Sequence, residues 1–225
     1  MQQVERIQVE ELVAEIMTRL QALDSLKAEN IGAVRREFSK RLSKAEPQIV
    51  IEVALRLINE EKFESRLVAY ALVCNHRAAF RSLGEKELEQ LGRGIDSWED
   101  VDTFACCLSG QAWRERQIAD EVIFHWAHSD NRWWRRAALV STVPLNTRAR
   151  GGKGDTDRTL EVCRILVRDR DDMVVKAMSW ALRELVIWDA EAVHRFLEEY
   201  KGVLAARVVR EVRNKLTTGL KNPRR

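Results

Sequence analysis

Apolar residues return every three or four positions along most of the chain. From Val4 the series Ile7, Val9, Leu12, Val13, Ile16, Met17 and Leu20 keeps one face apolar, with Glu and Arg on the other. That spacing predicts an amphipathic helix over 4–22. Asn30-Ile31-Gly32 interrupts it, and a second helix is expected from about Ala33 to Ser43. Pro47 opens a third, where Val50, Val53, Ala54, Leu57 and Ile58 hold the period. Leu67, Ala69, Tyr70, Leu72 and Val73 mark a fourth over 64–76. Past Gly84 a short polar helix over 85–91 is ended by Gly92 and Gly94. Asp96 or Ser97 then caps a helix that opens at Trp98 and is stopped by Gly110, and a further helix runs from Arg114 to His128. Helices at about 156–168, 172–187, 190–199 and 203–217 complete the chain. The stretch Asn146 to Asp155, with glycines at 151, 152 and 154 and no apolar anchor, is expected to be a mobile basic loop. Residues 220–225 are expected to form a frayed basic tail.

One stretch combines several signals. In Ser129-Asp130-Asn131-Arg132-Trp133-Trp134-Arg135-Arg136-Ala137-Ala138-Leu139-Val140-Ser141, the first three residues can each cap a helix start. Two indoles and small or branched residues can then bury one face, which leaves the guanidinium groups of Arg132, Arg135 and Arg136 to find partners. Aromatic and basic residues on one capped helix suit nucleic acid. A Trp-anchored core helix with a solvated Arg side is the simpler structural reading.

Segments in which Arg or Lys precedes small and apolar residues begin near Val34, Arg66, Val101, Arg135, Val175 and Ala206, at intervals of 32, 35, 34, 40 and 31 residues. That beat predicts an all-α fold, an α-solenoid of HEAT-like antiparallel helical pairs. Each pair cannot bury its own apolar face, so neighbours stack, and the second helices are expected to line a curved, concave and basic face. A single repeat domain is expected over 1–219.

Composition adjusts this picture at a few points. Among 225 residues, 38 basic and 35 acidic side chains leave a net charge of only +3, so any basic surface has to come from segregation of charge. Ten Gly and three Pro beside 32% charged residues leave little material for hairpins. The start, Met1 to Ile7, has no apolar core of signal-peptide length, and no run approaches a membrane span, so a cytoplasmic protein with no membrane partner is expected. The cysteines at 74, 106, 107 and 163 lack CxxC spacing and sit in apolar patterns, which favours buried reduced thiols over disulfides. His125 and His128 have a helical spacing that can hold a metal, but no Cys, Asp or Glu nearby completes a set. No metal and no cofactor is expected, and with no heptad seam the chain is expected to act as a monomer.

Candidate chemistry emerges when the repeats are laid side by side. Trp98 and Asp102, four apart, lie one above the other on a helical face. Arg136 falls on the next inner helix and Trp180 on the one after, within Met173-Val174-Val175-Lys176-Ala177-Met178-Ser179-Trp180-Ala181-Leu182-Arg183-Glu184. Adjacent inner helices are about 10 Å apart, so a carboxylate, an arginine and two indoles can meet on one wall.

These residues resemble the alkylpurine DNA glycosylases of the AlkD family, which are built of HEAT-like repeats. The resemblance rests on Trp98-x-x-Val101-Asp102, on Ser129-Asp130-Asn131-x-Trp133-x-x-Arg136-Ala137-Ala138 and on Lys176-Ala177-x-x-Trp180-x-Leu182-Arg183-Glu184, in that order, and covers the chain from about Asn30. It implies a catalytic centre of Asp102, Trp98 and Trp180, with Arg136 on the DNA backbone. It also implies a double-stranded DNA partner carrying alkylated purines, and beside Arg136 the cationic side chains of Arg132, Arg135, Lys176 and Arg183 are expected to contact that DNA. Two departures stand out. Leu26 to Arg36 has neither the aromatic residue nor the Gly-x-x-x-Pro turn of the family, and the Gly151-Gly152 loop looks like an insertion.

The chemistry such a set can perform follows without the family. Alkylation at N3 or N7 makes a purine cationic and a good leaving group, so breaking its bond to the sugar needs no strong acid. A carboxylate and two π faces then stabilise the oxocarbenium-like sugar. The other reading is a non-catalytic helical scaffold that binds DNA or protein through the same face.

Overall fold

The computed structural model describes residues 2–223, with side chains from Gln8 onward except that of Ala28. The side chains of Val4 and Ile7, and the residues Arg224 and Arg225 of the expected tail, lie outside the described part. Among the described residues there is no strand, and no helix is long and apolar enough to cross a membrane. The chain divides into two compact units, residues 1–95 and 96–225.

The first unit holds α1 (Gln2–Gln21), α2 (Ala28–Arg41), α3 (Pro47–Ile58), α4 (Phe63–Asn75), α5 (Arg77–Arg81) and α6 (Glu85–Leu91). Pro47 starts α3 as expected, because the amide it lacks has no partner in a first turn. The chain packs α1 on α2 and α3, and α4 on both α2 and α3. Ile16, Phe38, Leu57, Tyr70 and Leu88 are fully buried between these helices. A buried arginine, Arg66, fastens the end of the unit by donating to the carbonyls of Arg93 at 2.7 Å and Gly94 at 3.1 Å.

The second unit holds α7 (Trp98–Phe104), a π-helical turn (Ala105–Ser109), α8 (Gly110–Arg114), α9 (Asp120–Ala127), α10 (Arg132–Ser141) and α11 (Val143–Asn146). After a 3-10 turn at Arg148–Arg150 come α12 (Thr156–Ile165), α13 (Asp172–Leu185), α14 (Ala190–Glu199) and α15 (Ala206–Thr218). Side-chain caps set several starts: Ser97 accepts from the Asp100 amide, Asn131 from Trp133, Asp155 from Arg158, Asp171 from Met173 and Asp189 from Ala192. Each such cap stabilises its helix by about 1 kcal/mol.

Two rows result. Helices α7, α10, α13 and α15 pack successively side by side, while α9, α12 and α14 each pack on the helix that follows them in the chain. Buried and half-buried polar ties link neighbouring repeats. Ser109 pairs with Ser141, and Ser179 with Glu211, 32 residues on; Arg135 reaches Asp169 and Arg136 reaches Asp102 across 34. Separations of 32 and 34 fall within the 31 to 40 residues of the sequence intervals.

Four expectations need correction. Asn30-Ile31-Gly32 does not interrupt the helices but lies inside α2, which starts at Ala28. Gly110 does not stop a helix; the chain passes through the π-turn and on into α8. A Cβ at Gly110 would stand 2.6 Å from the Ser141 carbonyl oxygen and 2.8 Å from Pro144, so this glycine permits a close helix crossing. The helix expected over 114–128 begins only at Asp120, because Arg116 adopts a φ of 61° and turns the chain. The loop at 146–155 does have an apolar anchor. Gly154 packs so closely on the Trp188 ring that a Cβ would lie 2.8 Å from it, and Trp188 Nε1 donates to the Asn146 carbonyl at 2.6 Å. Buried Asn146 binds Thr142, Thr159 and the Asp155 amide.

Candidate functional site

Asp102 sits on the second turn of α7, where Ser97 fixes the helix start and places Trp98 one turn before it. Arg136, midway along α10, closes on it with two bonds, Nε to Oδ1 at 2.9 Å and Nη2 to Oδ2 at 2.8 Å. Nη1 of the same arginine donates to the Met173 carbonyl at the start of α13 at 2.5 Å. Three neighbouring helices are thereby joined through one guanidinium. Its side chain is only 6% exposed, against 18% for Asp102. The resemblance puts Arg136 on the DNA backbone, whereas in the structure all three of its nitrogens bond within the protein.

Burial raises the Asp102 carboxyl above its ordinary value. The Arg136 hydrogen bond and charge pull it back, and Glu99 adds to the rise. Desolvation of the charged form is the larger effect here.

The carboxylate opens on a cleft of about 400 Å³ lined by Trp98, Trp180 and Lys176 among others. Trp98 is 49% exposed, unusual for so large an apolar side chain. Trp180, on the third turn of α13, is half-buried and steadied by a bond from Nε1 to Glu184 at 3.2 Å. Arg183, Arg207 and Lys221 complete the cationic side. Desolvation lowers the pKa of Arg183, against the pull of Glu211 and Glu184. Lys176 pairs with Asp172 at 2.6 Å, and Arg207 joins the same carboxylate at 3.2 Å. The Lys176 bond holds the Asp172 carboxyl below its ordinary value.

Six residues singled out in the sequence, Trp98, Asp102, Arg136, Lys176, Trp180 and Arg183, therefore share one cleft. Arg132 and Arg135 do not line it. Arg135 spends its donors on Asp169 at 2.7 Å and on the carbonyls of Ser129 and Asp130, which locks the start of α10 to the next repeat. Arg132 lies over the Trp133 ring, 4.8 Å from its centroid, and pairs with Asp171. Trp134 packs with Phe104 and Trp126, so the second indole of the doublet serves the core.

Sequence reasoning missed Met173, Arg207 and Lys221. Met173 contributes through its backbone, which no residue type announces. Lys221 belongs to the tail expected to fray. Instead Gly219, with a φ of 74°, reverses the chain, and Asn214 binds the Lys221 carbonyl at 3.0 Å. No group of three or more His, Cys, Asp or Glu side chains among the described residues is placed to hold a metal ion. None of the four cysteines is in a disulfide, and burial pushes the thiols of Cys106 and Cys163 up to about 12.

Stacked helical pairs with repeat-spaced polar ties define a helical-repeat protein, one that presents a carboxylate and two indoles on the row of α7, α10 and α13. The chain belongs to the family of DNA alkylation repair enzymes, whose model matches residues 13–216. With that family goes a role in DNA alkylation repair. No curated protein and no solved structure matches the chain.

Proposed function

We propose that this protein is a DNA glycosylase that hydrolyses the N-glycosidic bond of cationic N3- or N7-alkylated purines in duplex DNA. One observation carries the reading. A carboxylate, Asp102, is fixed by two bonds from a buried arginine and opens on a cleft that also presents two indoles and several cations.

The alkylated base is already a cation, so it leaves with the electron pair of its bond to C1′ as a neutral molecule. Positive charge develops on the sugar as that bond breaks. Asp102 stabilises this charge and orients the attacking water, whose proton passes through the carboxylate to solvent. Trp98 and Trp180 offer π faces to the same developing cation. Lys176 and Arg183 face the phosphates on either side. Arg136 positions Asp102, since two parallel bonds fix both the rotamer and the tilt of the carboxylate.

The test is single-turnover incubation with methylated duplex DNA and detection of free 3-methyladenine or 7-methylguanine. The protein is expected to release base, and Asp102→Asn to lower that release by about 10²–10³-fold while duplex binding persists. Salt-dependent duplex binding with no base released by the wild type would overturn the enzyme reading in favour of a non-catalytic scaffold.

A further inference from the structure

Helix α15 and the turn after it supply one wall of the cleft, through Arg207 and Lys221. Behind that wall lies Glu211, whose side chain is only 7% exposed. A buried glutamate demands partners, and this one has several. Ser179 Oγ donates to Oε2 at 2.6 Å, and Arg183 Nε donates in turn to Ser179 Oγ at 3.3 Å. Lys221 Nζ stands 3.5 Å from the same Oε2, and Arg210 stands 3.9 Å from Oε1. One carboxylate thus connects α13, α15 and the C-terminal turn, and two cations tied to it, Arg183 and Lys221, line the cleft that holds Trp180.

We infer that Glu211 is a positioning residue that holds Lys221, together with Arg183, at the mouth of the cleft to grip a phosphate of the DNA strand beside the nucleotide under repair. The inference rests on the glycosylase reading above and adds to it a phosphate contact and the residue that orders it. Lys221 is 45% exposed and carries three donors, so its bond to Glu211 leaves others free for a ligand oxygen. A lysine on a turn beyond the last helix would otherwise sample many rotamers, and the buried carboxylate removes most of that freedom before DNA arrives. The placement has a second consequence. Because Glu211 is buried and surrounded by cations, its charge is spent inside the protein instead of repelling the duplex.

The measurement is the salt dependence of binding between the full-length protein and an unmodified labelled duplex. Lys221→Ala is expected to weaken binding several-fold and to reduce the slope of log K against log salt by about 1, the loss of one phosphate contact. Lys221→Arg should restore the slope. Glu211→Gln should weaken binding and lower the slope as well, and should have little further effect in a Lys221→Ala background, because both act through the same contact. An unchanged slope in Lys221→Ala overturns the inference. So does tighter binding by Glu211→Gln, which is what removal of a bystander negative charge would produce. Lys221 is exposed and follows the last helix, so its variants report even if Glu211→Gln fails to fold. Base release by the wild type with an unchanged Lys221→Ala slope sinks this inference alone. No base release with the slope lowered as stated sinks the glycosylase reading alone.

Discussion

The second unit contains two constellations of the same three residue types, and they do different work. In the first, Arg136 binds Asp102 beside Trp98 and Trp180. In the second, Arg158 binds Asp155 through Nε at 2.7 Å and lies over the Trp113 ring, 4.7 Å from its centroid. Both arginines are buried, and both constellations border hollows of similar volume, about 400 and about 380 Å³. Size and residue content therefore do not distinguish them. The indoles do. Trp113 is fully buried with its Nε1 bonded to Asp120 at 2.7 Å, so neither face is offered to a ligand. Trp98 stands half in solvent. The carboxylates differ as well. Asp155 caps α12 by accepting the Arg158 amide, whereas Asp102 has no capping duty and stands mid-helix at an opening. A carboxylate that caps a helix start is structural work already done; one that is half-buried, paired and still open to a cleft stands ready for chemistry.

The sharpest way to break this contrast is at the tryptophans. Trp113→Ala is expected to cost about 3–5 kcal/mol of stability, the usual consequence of emptying a fully packed site. Trp98→Ala should change stability by less than about 0.5 kcal/mol yet lower base release by about tenfold, the worth of one π face on a desolvated cation. Thermal unfolding and single-turnover release on both variants check this. A loss of stability in Trp98→Ala to match that of Trp113→Ala would make the two sites equivalent and remove the argument for a ligand at the first.

The aspartates give the next largest separation. Asp102→Asn is expected to act on release, by the factor given above, with thermal unfolding much less affected than turnover. Asp155→Asn keeps a capping oxygen but weakens the bond to buried Arg158. It should destabilise the protein by about 1–3 kcal/mol without altering the rate of release by the folded fraction. Urea unfolding alongside the release assay separates the two outcomes. Should Asp155→Asn slow release by the folded protein, the second constellation belongs to the active centre after all.

How much of this was legible in the sequence depends on what kind of signal carried it. The repeat spacing was readable because each repeat must bury the same face, and the cap at Asn131 because a helix start needs an acceptor there. Trp98, Asp102, Arg136 and Trp180 were readable as neighbours because residues one repeat apart on helices of the same row come side by side. What could not be read was the destination of each arginine. Arg132, Arg135 and Arg136 look alike in the sequence, and one stacks on its neighbouring indole, one ties a helix start to Asp169 and one holds the carboxylate. Glycines misled for a similar reason. Gly110 carries the same letter as a helix stop, but its role is set by the Ser141 carbonyl that crosses it. The place of Lys221 could not be read because the partner that orders it, Glu211, sits ten residues earlier on a helix with no sign of being special.

The smallest effect that still separates the two constellations is on pH. Release requires Asp102 as a carboxylate, and burial raises its carboxyl above the ordinary 3.8. The acidic limb of the rate profile is therefore expected above that value, with release falling as pH drops through it. Because the departing base is already cationic, no group has to hold a proton, so above the limb the profile should stay flat where an acid-assisted reaction would give a bell. Stability responds in the opposite sense. A carboxyl raised in the folded state binds its proton more tightly there than in the unfolded chain, so its contribution is fully present below the unfolded value and is lost as pH rises through the folded one. Glu99, which adds to the rise, offers a handle outside the cleft lining. Glu99→Gln should move the limb of release to lower pH. A limb that stays put in Glu99→Gln, or a second, alkaline limb in the wild type, would show that a group other than Asp102 governs the reaction.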